Sequence, residues 1–221
     1  ESLEDIEMKK YLPEGMKFSK NKVDFIGRFE KTNECYKFAW SGSTIRAGFV
    51  GTGIAVKLKS LEIDAKYGAS DFLEVIVDGT TQKTIAITKA PKVYTLAEGL
   101  EHGYHYVELI KRTEVGKTQM GFYGFDYKGG LEAFAPAQKE RTIEFIGDSI
   151  TAGWGNMSSW QTNEFILSEE NATKSYGYLV AKNLNAEAVL TAISGGGIVQ
   201  NSGGSTPGFL PIYWNSYAHK F

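Results

Sequence analysis

The first 128 residues alternate apolar and polar side chains over many short runs. Glycine-containing turns separate the runs, as at residues 51–53 (Gly-Thr-Gly) and 78–80 (Asp-Gly-Thr). A period of two is typical of antiparallel strands that are buried on one face. The spacing of the turns predicts a β-sandwich, a jelly roll of about eight strands. The runs include KFAW, IRAGFVG, GIAVKLKS, FLEVIVDG, KTIAIT, YHYVELIKR and MGFYGFDY.

The pattern changes at the two glycines that open residues 129–141. This segment, GGLEAFAPAQKER, follows neither the period of a strand nor that of a helix, and we interpret it as a linker. The predicted domains are therefore a sandwich over residues 1–128 and an α/β unit over residues 142–221.

The α/β unit alternates strand and helix. Residues 143–146 and 188–193 are predicted strands, and residues 173–184 between them are a predicted helix. This order implies a parallel sheet with a right-handed crossover. Ligands of such sheets bind at the carboxyl ends of the strands, where the glycine turns at Gly147 and Gly195 fall. The apolar residues on one face of the helix are Tyr176, Leu179, Val180 and Leu184.

Composition and charge exclude several functions. A net charge of −2 gives no general surface for polyanions, so we expect no nucleic acid partner. No apolar run reaches the roughly 18 residues of a membrane span, so we expect no membrane partner. A single cysteine and three histidines make a dedicated zinc site unfavourable. The composition fits a secreted and a cytoplasmic bacterial protein equally, and it leaves the oligomeric state open.

Residues 143–156, IEFIGDSITAGWGN, run from a predicted strand into a glycine turn with Ser149 at its tip. A strand that ends in such a turn is a common way to present a nucleophile. A serine hydroxyl reacts once a base takes its proton and fixed N–H groups stabilise the oxyanion. Serine in this position also caps helices, and the tripeptide alone fits either role. We expect Asp148 to brace the turn by hydrogen bonding rather than to act as the catalytic acid.

GDSITAGWGN resembles the first sequence block of the GDSL/SGNH hydrolases, and ISGGG after the second strand resembles their second block. The chain is most similar to carbohydrate esterase family 2, in which a jelly-roll domain precedes the SGNH domain. SYGYLVAKNLNAE and GYHYVELIKRTE carry the same resemblance. It implies that Ser149 is the nucleophile and that the backbone N–H groups of Ser149 and Gly195 form the oxyanion hole.

The same resemblance implies the activity. It is that of a serine esterase that removes O-acetyl groups from xylan or related plant polysaccharides and their oligosaccharides, without a metal or organic cofactor. Which acetylated glycan is the substrate stays open. Aromatic side chains beside a cleft can stack on sugar rings, and Trp154 and Trp214 are the candidates for substrate binding.

The sequence departs from the family pattern after the second block. The Gly-x-Asn-Asp block is absent, and Ser216 stands where an aspartate would precede His219 in the block that supplies the base. His102 and His105 fit a turn and a strand of the sandwich. Two predicted strands also fall short of the about five or six of a doubly wound sheet. We therefore expect the α/β domain to be incomplete here, with its His and Asn blocks beyond residue 221 or on another chain.

Two alternatives remain. In the first, the jelly roll is a carbohydrate-binding module and the α/β part is degenerate or incomplete. In the second, the protein is a lipase-like SGNH esterase of short acyl chains. Reaction with a serine-directed phosphonate distinguishes an esterase from the first alternative, and acyl-chain preference distinguishes the carbohydrate esterase from the second.

Overall fold

The structure, a computed structural model, describes residues 3–159 and 164–204. The strands of this part are β1 (Val23–Ile26), β2 (Glu30–Lys31), β3 (Tyr36–Phe38), β4 (Thr44–Gly51), β5 (Ile54–Ile63), β6 (Asp71–Val77), β7 (Thr80–Ile87), β8 (Lys92–Ala97), β9 (Gly103–Lys111), β10 (Thr118–Asp126), β11 (Leu131–Ala133), β12 (Thr142–Gly147) and β13 (Glu187–Ala192). The α-helices are α1 (Leu3–Lys9), α2 (Ser149–Ala152) and α3 (Tyr176–Asn183). Short 3-10 helices span Leu167–Glu169, Ala172–Lys174 and Ser202–Gly204.

Two antiparallel sheets form the sandwich. One has the order β1-β4-β9-β6-β7, with β11 also paired to β4, and the other has the order β2-β3-β10-β5-β8. Their inner faces bury one apolar core, in which Phe38, Phe49 and Leu109 are fully enclosed. The predicted jelly-roll-like architecture is confirmed. The strand number exceeds the expected eight because pieces such as β2 and β3, of two and three residues, are too short to show a period.

The first part of the predicted linker, residues 129–141, is strand structure. Leu131 of β11 pairs with Val50 of β4, and the ladder continues to Ala133. Gly130 lies so close to the Val50 carbonyl that a Cβ there would overlap it. Three residues cannot display a period of two, which is why the sequence pattern missed this strand. This part of the segment therefore packs on the sandwich, and the exact division between the domains stays a prediction.

The α/β unit contains the predicted strand–helix–strand order. Strands β12 and β13 are parallel, and the pairing ends at Gly147 opposite Ala192. Helix α3 packs on this sheet through Gly177 and Ala181, which are buried. A Cβ at Gly177 would lie 2.9 Å from Cγ of Phe145, so the helix approaches the sheet closely only because this side chain is missing.

Four larger apolar residues of α3 and its C-cap are partly exposed, with exposed fractions between 42% and 49%. The helix contacts the described sheet through its small residues and through Tyr176, whose ring meets that of Phe145 in β12 edge-on at 6.0 Å. The residues of the exposed stripe are Tyr176, Leu179, Val180 and Leu184.

A buried ion pair joins the two parts of the chain. Nη1 of Arg46 in β4 donates to Oε1 of Glu187 in β13 at 2.9 Å, and the two side chains are only 7% and 6% exposed. Arg46 also pairs with Glu108 of β9 at 2.7 Å, and the Lys139 N–H donates to Glu187 at 3.0 Å. Burial by itself would raise the pKa of Glu187, but the hydrogen bonds and charge of Arg46 lower it below its ordinary value.

We expect Glu187→Ala to lower the free energy of unfolding by about 3 kcal/mol at pH 7, because Arg46 then stays buried with one carboxylate instead of two. Urea denaturation measures the change. Glu140→Ala is the control, since Glu140 pairs with Lys17 on a fully solvated surface and its removal should cost under about 1 kcal/mol.

The same variant has a defined pH dependence. Glu187 has a lower pKa in the folded than in the unfolded chain, so its contribution is complete above the unfolded pKa of about 4.3. The contribution is lost as the pH falls through the folded pKa. The stability difference between wild type and Glu187→Ala should therefore shrink in acid, and a difference that stays constant from pH 7 to pH 3 would contradict this account.

Candidate active site

The first glycine turn follows β12 directly. A Cβ at Gly147 would overlap Oγ1 of Thr151, so only glycine allows the strand to turn at once into α2. Ser149 is the first residue of α2 and is half-buried. Oδ1 of Asp148 accepts a hydrogen bond from the Ile150 N–H at 3.0 Å and thereby caps the helix. The contact is the brace expected for this aspartate.

The end of α2 is fixed as closely as its start. The Ser149 carbonyl accepts hydrogen bonds from the N–H groups of Gly153 at 3.0 Å and Trp154 at 2.9 Å. Gly153 is left-handed, with φ of 97°, and a Cβ there would lie 2.5 Å from the Asn171 carbonyl oxygen. Both peptide groups next to Ser149 are therefore held by the fold.

The second glycine turn begins where β13 ends. The Ile193 N–H donates to the Gly147 carbonyl at 3.2 Å, which extends the pairing of the two strands by one bond. Gly195 follows with φ of 75°, a conformation that favours glycine, and its carbonyl accepts from the Ser202 N–H at 2.8 Å. Because β12 and β13 are parallel, Ser149 and Gly195 leave the same edge of the sheet.

Trp154 is 37% exposed and lies in a group of aromatic rings from both parts of the chain. Its ring is parallel to that of Phe165, with centroids 6.3 Å apart, and Phe165 meets Tyr67 of the sandwich edge-on at 5.0 Å. Lys117 Nζ lies 4.4 Å from the Tyr67 ring centre. The sequence analysis missed Phe165 and Tyr67 because they are distant in sequence and carry no motif. Trp214 lies outside the described residues.

The two described histidines are bound within the sandwich. Nδ1 of His105 lies 2.7 Å from Asp78 and its Nε2 lies 2.8 Å from the Glu101 carbonyl. Burial lowers the pKa of His105, but these hydrogen bonds outweigh it and raise the pKa overall. His102 packs edge-on against Tyr11 at 5.4 Å. The remaining histidine, His219, lies outside the described residues.

Buried charges behind the second turn were not anticipated. Oε2 of Glu114, which follows β9, accepts a hydrogen bond from the Ser194 N–H at 2.5 Å. Oε2 of Glu170 in turn accepts from the Glu114 N–H at 2.9 Å. Arg112 donates to the carbonyls of Glu170 at 3.2 Å and Ser168 at 3.0 Å. The only sequence signal was the charged run KRTE at the end of an otherwise apolar strand.

No cluster of three or more His, Cys, Asp or Glu side chains within residues 3–159 and 164–204 is arranged to hold a metal ion. Within the same ranges, no helix has the length and apolar character needed to cross a bilayer.

The chain thus consists of a sandwich followed by an α/β unit with a serine turn. Residues 25–136, just over half of the chain, match the family described as "Carbohydrate esterase 2 N-terminal". The chain therefore belongs to carbohydrate esterase family 2.

Relatives with known names agree with this assignment. The chain is 38% identical to cellulase/esterase CelE of Acetivibrio thermocellus over 88% of its own length and 23% of the relative's. It is 32% identical to an acetylxylan esterase / glucomannan deacetylase of Cellvibrio japonicus, over 78% of its length and 46% of the relative's. The structure of a family two carbohydrate esterase from Clostridium thermocellum in complex with cellohexaose superposes with a TM-score of 0.80 and 36% identity. The match covers 88% of this chain and 58% of that one, so the chain spans less than two thirds of each of these proteins.

We expect Asp148→Ala to lower the free energy of unfolding by about 1 kcal/mol, because the Ile150 N–H loses its acceptor. Asp148→Asn keeps an oxygen in the capping position and should leave the stability nearly unchanged. Urea denaturation of both variants measures the difference. Equal destabilisation by Asn and Ala would show that the charge of Asp148, not its cap, matters to the fold.

Proposed function

We propose that this chain is the front part of a serine esterase that removes O-acetyl groups from xylan or related plant polysaccharides and their oligosaccharides. The observation that carries the proposal is the position of Ser149 and Gly195 in two glycine turns that leave the same edge of a parallel sheet. The relative named acetylxylan esterase / glucomannan deacetylase supports the substrate class.

The reaction follows from the chemistry of the two turns. Ser149 Oγ attacks the acetyl carbonyl carbon and gives its proton to a base, and the carbonyl oxygen becomes an oxyanion. The N–H groups of Ser149 and Gly195 donate hydrogen bonds to that oxyanion, each worth about 2.7–4 kcal/mol of barrier in comparable enzymes. The C–O bond to the sugar then breaks, and the sugar hydroxyl takes the proton from the base. Water cleaves the acetyl-serine by the same steps in reverse and releases acetate.

We propose that the base is a histidine outside residues 1–221, oriented by an aspartate or a backbone carbonyl. An asparagine that likewise lies outside residues 1–221 would complete the oxyanion hole. The apolar stripe of α3 supports this proposal, as does Ile150 of α2, which is 71% exposed. Parallel sheets are normally covered on both faces, and further strands and helices of a hydrolase domain would bury such side chains.

Trp154 is the described residue that we propose for sugar binding. Trp154 comes five positions after Ser149 in the sequence, and its ring is partly exposed. Sugar rings stack on exposed aromatic rings of this kind. The related esterase with bound cellohexaose is consistent with a glycan chain as the ligand of this family.

We expect a fluorophosphonate to label the full-length protein once and Ser149→Ala to remove both the label and acetyl release. The loss of rate should reach at least about 10⁴-fold, as for other serine nucleophiles. Intact-protein mass and acetate release from acetylated xylan are the measurements, and Ser159→Ala, an exposed serine of the following loop, is the control. A wild-type protein that binds the glycan without being labelled would support the carbohydrate-binding module instead.

We also expect a strong preference for acetyl over longer acyl groups in nitrophenyl esters. A site for sugar O-acetyl groups needs space for one methyl group only, and each further methylene that cannot be accommodated raises the barrier. The ratio of kcat/KM for acetyl and octanoyl esters measures the preference. A protein that favours octanoyl esters would be the lipase-like esterase.

A further inference from the structure

Two carboxyl groups lie completely buried behind the turn that contains Gly195. Glu114 comes from the sandwich and Glu170 from the α/β unit, and both are 0% exposed. A carboxyl group without access to water is costly unless its oxygens have hydrogen-bond donors. Their burial at this place therefore needs a structural explanation.

The hydrogen bonds around Glu114 supply part of one: Oε2 of each carboxyl group has a donor, whereas Oε1 of Glu114 and Oε1 of Glu170 have none among the described residues. On one side Oε2 of Glu114 accepts from the Ser194 N–H at 2.5 Å, and on the other the Glu114 N–H donates to Oε2 of Glu170 at 2.9 Å. Arg112 Nε donates to the Glu170 carbonyl at 3.2 Å and fixes the backbone that carries the second carboxyl group. A continuous series of hydrogen bonds thus connects β9 of the sandwich with the residue before Gly195.

The amide groups that flank Gly195 are all held. The Ile193 N–H binds the Gly147 carbonyl at 3.2 Å, the Ser194 N–H binds Glu114, and the Gly196 N–H binds the Ile193 carbonyl at 2.9 Å. Within residues 3–159 and 164–204, no group accepts a hydrogen bond from the Gly195 N–H. Its neighbours are fixed and the N–H itself is available, which is the arrangement that an oxyanion donor requires.

We propose that Glu114 is a positioning residue of the esterase: Glu170 holds its backbone N–H, and its carboxyl group fixes Ser194 and thereby directs the Gly195 N–H toward the oxyanion. The inference rests on the proposed function. It makes the sandwich a working part of the active site, since the residue that orients the oxyanion hole belongs to the sandwich.

The charges around the pair indicate how it stays buried. Burial raises the pKa of Glu114, against the hydrogen bonds from Ser194 and the charges of Lys117 and Lys111. Burial, and then the charge of Glu114, raise the pKa of Glu170 well above its ordinary value, with Lys111 opposing and Asp71 adding to the rise. The pair therefore keeps a proton to higher pH than exposed carboxyl groups do. A neutral oxygen acceptor should consequently serve in place of Glu114.

The test compares Glu114→Ala with Glu114→Gln in the full-length protein. We expect Glu114→Ala to lower kcat on acetyl esters by about 10- to 100-fold, less than removal of an oxyanion donor, with KM changed by less than about threefold. Glu114→Gln retains an acceptor for the Ser194 N–H and should restore most of kcat. Asp78→Asn, whose carboxyl group contacts His105 within the sandwich, is the control: it should lower the melting temperature and leave kcat unchanged.

A second measurement does not depend on activity. Hydrogen exchange of the amides of Ser194, Gly196 and Gly197, which are hydrogen-bonded, should be at least about tenfold faster in Glu114→Ala than in wild type and near wild type in Glu114→Gln. If Glu114→Ala fails to fold, Glu114→Asp replaces it in both measurements. Its side chain is one methylene shorter, which moves the carboxylate oxygen away from the Ser194 N–H.

The outcomes separate this inference from the proposed function. Unchanged kcat together with unchanged exchange in Glu114→Ala would overturn the inference, and so would a loss of kcat without faster exchange at the turn. If the wild type releases no acetate and takes no label, the proposed function fails. In that case the exchange data still decide whether Glu114 fixes the turn: faster exchange supports this and unchanged exchange refutes it.

Discussion

A buried guanidinium group needs hydrogen-bond acceptors, and the two carboxylates that bind Arg46 come from different parts of the chain. Glu108 belongs to the sandwich, whereas Glu187 is the first residue of β13. Satisfying this one charge therefore fixes where β13 lies against the sandwich. The hydrogen bond from Ser194 to Glu114 does the same just beyond the other end of the strand. The strand that leads to Gly195 is thus held to the sandwich at both ends, and the position of the turn that contains Gly195 depends on these two contacts.

These contacts suit the proposed oxyanion site at the turn of Gly195, which must bind developing negative charge. Oxyanion donors act best when they are already oriented and need no rearrangement during the reaction. The turns themselves cannot provide this stiffness, since Gly153 and Gly195 are left-handed glycines in short loops. The surrounding hydrogen bonds provide it instead: the Ser149 carbonyl accepts hydrogen bonds from the N–H groups of Gly153 and Trp154, and the Ser194 N–H donates to a buried carboxyl group. The glycines therefore allow the turns to form, and the buried carboxyl group behind the second turn holds that turn in place.

The sequence predicted the features that depend on neighbouring residues, and it did not predict the contacts between residues far apart in the chain. Local patterns predicted the long strands and the βαβ order, because periods of two and of 3.6 are written in adjacent residues. The three-residue strand β11 was too short to show a period, and α3 approaches the sheet closely at Gly177 and Ala181 while its apolar stripe stays partly exposed. The contacts between the sandwich and the α/β unit could not be predicted from the sequence. Arg46 and Glu187 are 141 positions apart, and a lone charge in a strand is ordinarily assigned to the solvent face.

The contacts of the sandwich bear on whether it is a separate attached module or an integral support of the α/β unit. A binding module attached to a hydrolase needs only a linker, and the contacts across such a boundary are normally modest and polar. Here Arg112 reaches the carbonyls of Ser168 and Glu170, and the loop that follows Trp154 is held to the sandwich through Phe165 and Tyr67. The segment that carries Phe165, Ser168 and Glu170 is therefore braced by sandwich residues. Removing the sandwich would expose Glu170 without its partner and release both turns, so the α/β unit depends on the sandwich for the geometry of its own site.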